Sequence, residues 1–333
     1  MIELENFINH LILTKKMKRI ILSAALATIV LSLTSCENRC EEMGRSVPDE
    51  TLLTINAVPV YDAVTPTRAP ISVFPDQAEL GLFVTSGTLG NDYNNIAANS
   101  NVKSTLTGSV WSQIPAVYLS SANATVFAYY PYSNDITDGT DVAVEHTSQT
   151  DYLYGMQNAG QSAINNANPS VNIGMHHALA MIQFQFSKRY YTGPGKLIRI
   201  EIINASGTLL CSEGTMNVAT GEITNTAGKS ASAVIENISE GLIASIPATA
   251  STDETTFPKV LVLPLKKETA PGNISIRFTI DGRSYTCGVP ASTRWEKGTK
   301  YTYKIEFSGT EVRVGTILIT DWIVGAVETA GIK

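Results

Sequence analysis

An all-β fold of tandem antiparallel sandwiches is predicted by three features of this sequence. Beyond residue 50, short runs rich in Val, Ile, Thr, Tyr and Phe alternate with Gly, Asn, Pro and Ser. No stretch keeps a 3.6-residue apolar period over three turns with caps, so long helices are not expected. Many short strands at this spacing favour antiparallel sheets over a parallel one. Hydrophobic residues make up 44 % of the 333-residue chain against 16 % charged, enough apolar material for real cores.

The elements follow in order. Lys15, Lys16, Lys18 and Arg19 form a cationic flank before the apolar run Ile20–Leu33. That run is shorter than the ~18–20 residues of a permanent span, so residues 1–35 read as a leader, with Met17 as its start. Leu33-Thr34-Ser35-Cys36 resembles a bacterial lipobox, in which the cysteine is acylated and becomes the new N-terminus. Each buried CH₂ of an acyl chain contributes about 0.8 kcal/mol, so several chains make Cys36 a stable anchor to the outer membrane. Residues 36–50 then form the tether, with Cys40 as a tail thiol. Glu41 and Glu42 resemble an acidic surface-export signal of lipoproteins.

Residues 51–168 are expected to form a first sandwich and residues 169–333 a second. Gly160–Ser170, small, polar and holding Pro169, is the linker between them. Strands are expected at Leu52–Val64, Glu79–Thr85, Thr125–Tyr130, Ala180–Phe186, Lys196–Ile203, Val260–Leu265, Ile274–Ile280, Tyr301–Phe307 and Val312–Trp322. Asp281-Gly282 joins two alternating runs and suits a type I′ hairpin turn. The Asn-rich stretch Asn91–Thr105 reads as a surface loop. In Leu52–Val64, Leu53, Ile55 and Ala57 face one way and Thr54 and Asn56 the other. Pro59 has no N–H to give a ladder, which places this strand at an edge or on a bulge.

Catalytic and cofactor motifs are few. A net charge of −6 without a later Lys/Arg cluster argues against nucleic acid as a partner. His176 and His177 are adjacent and, on a strand, point to opposite faces, so they cannot share a metal. Ser133–Val142 misses the calcium-loop spacing. Tyr191–Leu197 contains Gly-Lys but lacks the earlier glycine and the following Ser/Thr of a phosphate loop, and no G-x-S-x-G elbow occurs. No cofactor is called for, and an enzyme has no positive support. Cys211 and Cys287 can pair in an oxidising compartment or stay as two thiols.

Several stretches together resemble the fimbrillin family of Bacteroidales surface pili. They are the lipobox at Cys36, Val64–Val84, "VFAYYPYS" (Val126–Ser133), "MHHALAMIQFQF" (Met175–Phe186), "RWEKGTKYTYKIEF" (Arg294–Phe307) and "ILITDW" (Ile317–Trp322). The resemblance implies two tandem transthyretin-like (Ig-like) β-sandwiches exported as a lipoprotein to the cell surface. It further implies that an extracellular arginine-specific protease removes the first strand together with the lipid. A strand from another pilus subunit then fills the groove, and the filament supports adhesion to host or bacterial surface ligands. Carried onto this chain, cleavage falls between Arg68 and Ala69, with Arg45 as the alternative, and the donor is the C-terminal segment Thr316–Val327. Shaft, tip and anchor all remain open roles. The other reading is a surface lipoprotein binding glycans through Tyr129, Tyr130 and Tyr132.

Overall fold

The computed structural model describes residues 49–60, 73–225, 232–236, 242–308 and 311–322. The first ten strands are β1 (Thr51–Leu52), β2 (Thr54–Pro59), β3 (Glu79–Thr85), β4 (Val102–Thr107), β5 (Val110–Ile114), β6 (Tyr118–Leu119), β7 (Thr125–Tyr130), β8 (Val142–Glu145), β9 (Leu153–Gln157) and β10 (Ser170–His177). They are followed by β11 (Ala180–Arg189), β12 (Leu197–Asn204), β13 (Glu213–Met216), β14 (Ile223–Asn225), β15 (Ser232–Glu236), β16 (Lys259–Val262), β17 (Ile274–Ile280), β18 (Arg283–Gly288), β19 (Thr299–Ser308) and β20 (Glu311–Asp321). Among the described residues there is no α-helix, only three single-turn 3-10 segments. The all-β expectation holds.

A seven-stranded sheet runs β2-β10-β9-β7-β3-β4-β5 and curls until its two edge strands, β2 and β5, come into contact. Its concave face holds one core, with Leu53, Ile55, Leu80, Leu82, Val126, Leu153, Val171, Ile173 and Met175 among its buried side chains. The inner strand β3 is buried on both faces. Its other face, with Phe83, is covered by the small sheet β14-β13-β8 through Val142, Val144 and Met216. That burial on two sides accounts for the near-continuous apolar run of Glu79–Thr85. Gly81 is required there, because a Cβ would sit 1.9 Å from the Tyr129 ring.

Two four-stranded sheets, β16-β11-β19-β20 and β15-β12-β17-β18, share a second core. Phe184 and Phe186 each meet Phe278 edge to face in it, with centroids 5.5 and 5.4 Å apart, a favoured aromatic geometry. The hairpin β17–β18 turns at Asp281 (φ 48°) and Gly282 (φ 76°), the two left-handed residues a type I′ turn needs. The Asp281 carboxylate also accepts from the Tyr191 hydroxyl (2.5 Å) and from the N–H groups of Gly195 and Lys196.

Two expectations change in detail. Asn91–Thr105 is a loop only as far as Asn101. From Val102 the chain enters β4, because Val102, Ser104 and Leu106 alternate inward. The loop itself is pinned by buried Tyr93, whose hydroxyl donates to the Ala122 carbonyl at 2.8 Å. Gly160–Ser170, expected as linker, is also tied down: Ile164 is buried and its carbonyl accepts from Ala124 N–H at 2.7 Å. Ser170 opens β10, whose apolar face joins the first core, so the chain changes sheets between His177 and Ala180. β8 and β13 pair across that point, and the described residues belong to one compact unit, Val47–Lys333.

Candidate functional site: the leading strand and its seat

The leading segment changes partners halfway. Thr51 and Leu52 pair antiparallel with Leu119 and Tyr118, and Leu53 N–H donates to the Val117 carbonyl at 2.9 Å. From Thr54 onward the chain instead runs parallel to β10, with Thr54 opposite Ser170, Asn56 opposite Asn172 and Pro59 opposite Met175. Thr54 N–H takes the Pro169 carbonyl and Val60 N–H the Met175 carbonyl, so hydrogen bonding resumes past the proline. β2 is the last strand of its sheet, where a missing donor is tolerated, as Pro59 predicts.

The alternation read in the sequence is the alternation found. Leu53, Ile55 and Ala57 are buried in the first core, while Thr54, Asn56 and Val58 face solvent. Burying Leu53 and Ile55 contributes about 1.5–3 kcal/mol each. Without them, Val171, Ile173 and Met175 would border an open apolar groove flanked by an unpaired strand edge. On the exposed face two side-chain pairs cross the strands: Thr54 Oγ1 and Ser170 Oγ lie 2.8 Å apart, and Asn56 Nδ2 donates to Asn172 Oδ1 at 3.0 Å.

The seat is held from behind. β9 stops pairing at Gln157; beyond it one more backbone bond, Asn158 N–H to the Asn172 carbonyl at 2.9 Å, is joined by side chains. Gln161 brackets Asn172, giving Nε2–H to its carbonyl and accepting its N–H, both at 3.1 Å. Asn158 Oδ1 accepts from Gly174 N–H at 2.8 Å. No ionisable side chain occurs in Thr51–Val60 or Pro169–Met175. The contact is therefore apolar inside, amide and hydroxyl outside, and uncharged.

The trailing strand β20 also lies at a sheet edge, next to β19. Its end is fixed by Trp322, which is buried among Leu179, Met181, Leu261 and Leu263 and stacks on His177 (centroids 3.8 Å, planes 4° apart). His177 Nδ1 in turn lies 3.0 Å from Asp151 Oδ1. His176 points to solvent, so the two histidines do face opposite ways.

Other sequence candidates are placed as follows. Cys36, Arg45, Arg68 and Ala69 lie outside the described residues, as do the leader, most of the tether and residues 323–333. Tyr129 is buried, its hydroxyl donating to Asn101 Oδ1 at 2.7 Å, and desolvation pushes it up to about 12. Tyr130 packs against Phe74, and Tyr132 donates to Asn134 at 2.6 Å. The three tyrosines therefore do not form an exposed platform. Cys211 and Cys287 are separate thiols, and burial pushes Cys287 up to about 12, which favours the thiol over the thiolate. Sequence reasoning missed Ser170, Asn172 and the whole of β10 as the seat. The alternation Val171, Ile173, Met175 was the available signal, hidden beneath a linker-like composition.

A family described as fimbrillin-like matches residues 67–322. Among solved structures, the chain is similar to a candidate cell adhesion protein from Bacteroides uniformis, at 19 % identity and TM-score 0.57, covering 82 % of this chain and 99 % of that one. A candidate cell adhesion protein from Bacteroides ovatus gives 17 %, 0.57, 83 % and 99 %. A fimbrial protein from Bacteroides vulgatus gives 14 %, 0.50, 81 % and 99 %. At these identities the likeness is one of fold. No curated protein matches the sequence.

Proposed function

This chain belongs to the fimbrillin-like family, and on that premise we propose that it is a subunit of a cell-surface fimbria assembled by exchange of its leading strand, with adhesion as the output. It is a structural protein rather than an enzyme. The observation that carries the exchange is the position of β2: a single strand at a sheet edge whose inward side chains complete a core. Such a strand, with the short β1 that pairs with β6 ahead of it, leaves without breaking any pairing among the strands that stay, and its departure opens a groove that invites strand addition. A head-to-tail contact of that kind does not close on itself and so builds filaments.

The remaining parts of the reading are proposals on the sequence. Acylation at Cys36 holds the precursor on the outer membrane. An arginine-specific extracellular protease cuts between Arg68 and Ala69, or at Arg45, which would release the tether and keep the strand. The division into tandem sandwiches is read from the two cores, within one compact unit that β8 and β13 tie together. Donation from Thr316–Val327 carries a constraint, since Ile317–Asp321 already pairs with β19 and must leave it first.

The test is limited digestion of the full chain with an arginine-specific protease. A new N-terminus at Ala69 is expected, and heat-resistant ladders on a denaturing gel once the cleaved chain is mixed with subunits that donate a matching strand, with Arg68→Gln keeping its leading strand and staying monomeric. Cleaved protein that remains monomeric in that mixture overturns the exchange.

A further inference from the structure

The seat must reject wrong strands as well as wrong registers. A slip by one residue turns the apolar face outward and is excluded by alternation alone. A slip by two keeps apolar side chains inside, so something else must forbid it. Two features of the seat do so. The inward side chains run large, large, small: Leu53, Ile55, then Ala57, which is buried opposite Ile173. A two-residue slip toward Met175 brings Ile55 to the place of Ala57 and overpacks it. The outward side chains run hydroxyl, then amide, matched to Ser170 and Asn172. The same slip, or its reverse, sets an apolar residue against one of them. Asn172 presents its amide from a backbone already fixed by Gln161.

We propose that Ser170 and Asn172 are specificity-determining residues for the incoming strand, resting on the exchange reading above. The partner is a chain that supplies a strand parallel to β10, with large, large, small inward and a hydroxyl followed two residues later by an amide outward. A second copy of this chain is a poor donor from its C-terminal end. Thr316–Lys333 contains no Asn or Gln, so no register reproduces the contact with Asn172. With Thr316 opposite Ser170, Leu318 meets Asn172 and Ile319 takes the place of Ala57. Asp321, a carboxylate that could stand in for the amide, would bring Trp322 into that small place. The neighbour in the filament is accordingly a different polypeptide.

The test uses full-length protein nicked by an arginine-specific protease and fluorescent peptides read by polarisation. The peptides are Thr51–Val60, its Asn56→Leu and Ala57→Leu variants, and Thr316–Val327. Asn56→Leu should weaken binding about fivefold, the worth of one net hydrogen bond. Ala57→Leu should weaken it about tenfold or more through overpacking. In nicked Asn172→Ala protein the Asn56→Leu penalty should vanish and the Ala57→Leu penalty persist, since only directly coupled pairs fail to add. Equal binding of Asn56→Leu and the parent peptide, or binding of Thr316–Val327 as tight as that of Thr51–Val60, overturns the specificity assignment while leaving exchange intact. Failure of every peptide to bind, the leading one included, overturns exchange itself.

Discussion

The leading strand β2 and the trailing strand β20 are both edge strands, but they are held in opposite ways. β2 is held along its length. Leu53 is 0 % exposed and Ile55 8 %, because the sheet curls over them. β20 is held at its end. Leu318 is 48 % and Ile319 61 % exposed, and Val312, Val314 and Ile317 only lean on a core already closed by β19 and the facing sheet. Its fixed point is Trp322. The difference separates two properties of an edge strand. Topology makes both removable, but only the strand that completes a core leaves a groove behind. A strand bonded along an edge and pinned at one end is instead suited to peeling off as a unit once the pin is released.

Removing the pin is the largest way to break this comparison. Trp322→Ala deletes a buried indole and should cost about 3–5 kcal/mol in urea unfolding. Amide exchange should accelerate in β20 far more than in β2. If β20 keeps its protection after Trp322→Ala, the strand is held along its length like β2, and the contrast fails.

Next in size is a matched pair of identical deletions. Leu53→Ala should cost about 2–5 kcal/mol, because the cavity opens into a closed core. Leu318→Ala, the same chemistry on an exposed side chain, should stay within about 0.5 kcal/mol. Equal effects would mean that the exposure of β20 is covered in solution.

How much of this was legible beforehand depends on how far apart the interacting residues lie. Where one strand's own alternation or continuous apolarity decides its fate, the sequence sufficed: Glu79–Thr85, Thr125–Tyr130 and Ile274–Ile280 fall where their patterns place them. The Asp281-Gly282 turn was legible for the same reason, since backbone conformation at two residues is a local matter. The edge position of β2 was readable from Pro59 alone. Its partner was not. Thr54 and Ser170 are 116 residues apart, and parallel pairing leaves no hairpin turn to announce it. Likewise β8 and β13 meet across the expected linker with only four residues each, too short to carry a period. The stack of Trp322 on His177 had no signal beyond two aromatic residues in distant strands. The exposed face of the seat is the hardest case, because Ser and Asn look like loop until the strand beside them is known.

The smallest effect sharpens the comparison by pH. Thr51–Val60 and Pro169–Met175 carry no ionisable group, so acid should not loosen the leading strand directly. The half that carries β20 differs at its β17–β18 hairpin. Desolvation pushes the Asp281 carboxyl up, but hydrogen bonds from Tyr191, Gly195 and Lys196 outweigh it and hold the group below its usual value. A carboxyl depressed in the folded state contributes stability that is complete above its unfolded value of about 3.9 and is lost as pH falls through the folded one. Tyr191, pushed up to about 12 first by its hydrogen bond to Asp281 and then by desolvation, gives the mirror case. Its contribution is complete below about 10 and is lost as pH rises through the folded value. Amide exchange in β17 and β18 should therefore quicken below about pH 4 and toward the alkaline limit, with Asp281→Asn flattening both limbs. Exchange in β2 should track only global stability. A leading strand that opens with the same acid profile as the hairpin, and loses that profile in Asp281→Asn, would show that the two regions open as one cooperative unit, and β2 could then not leave alone.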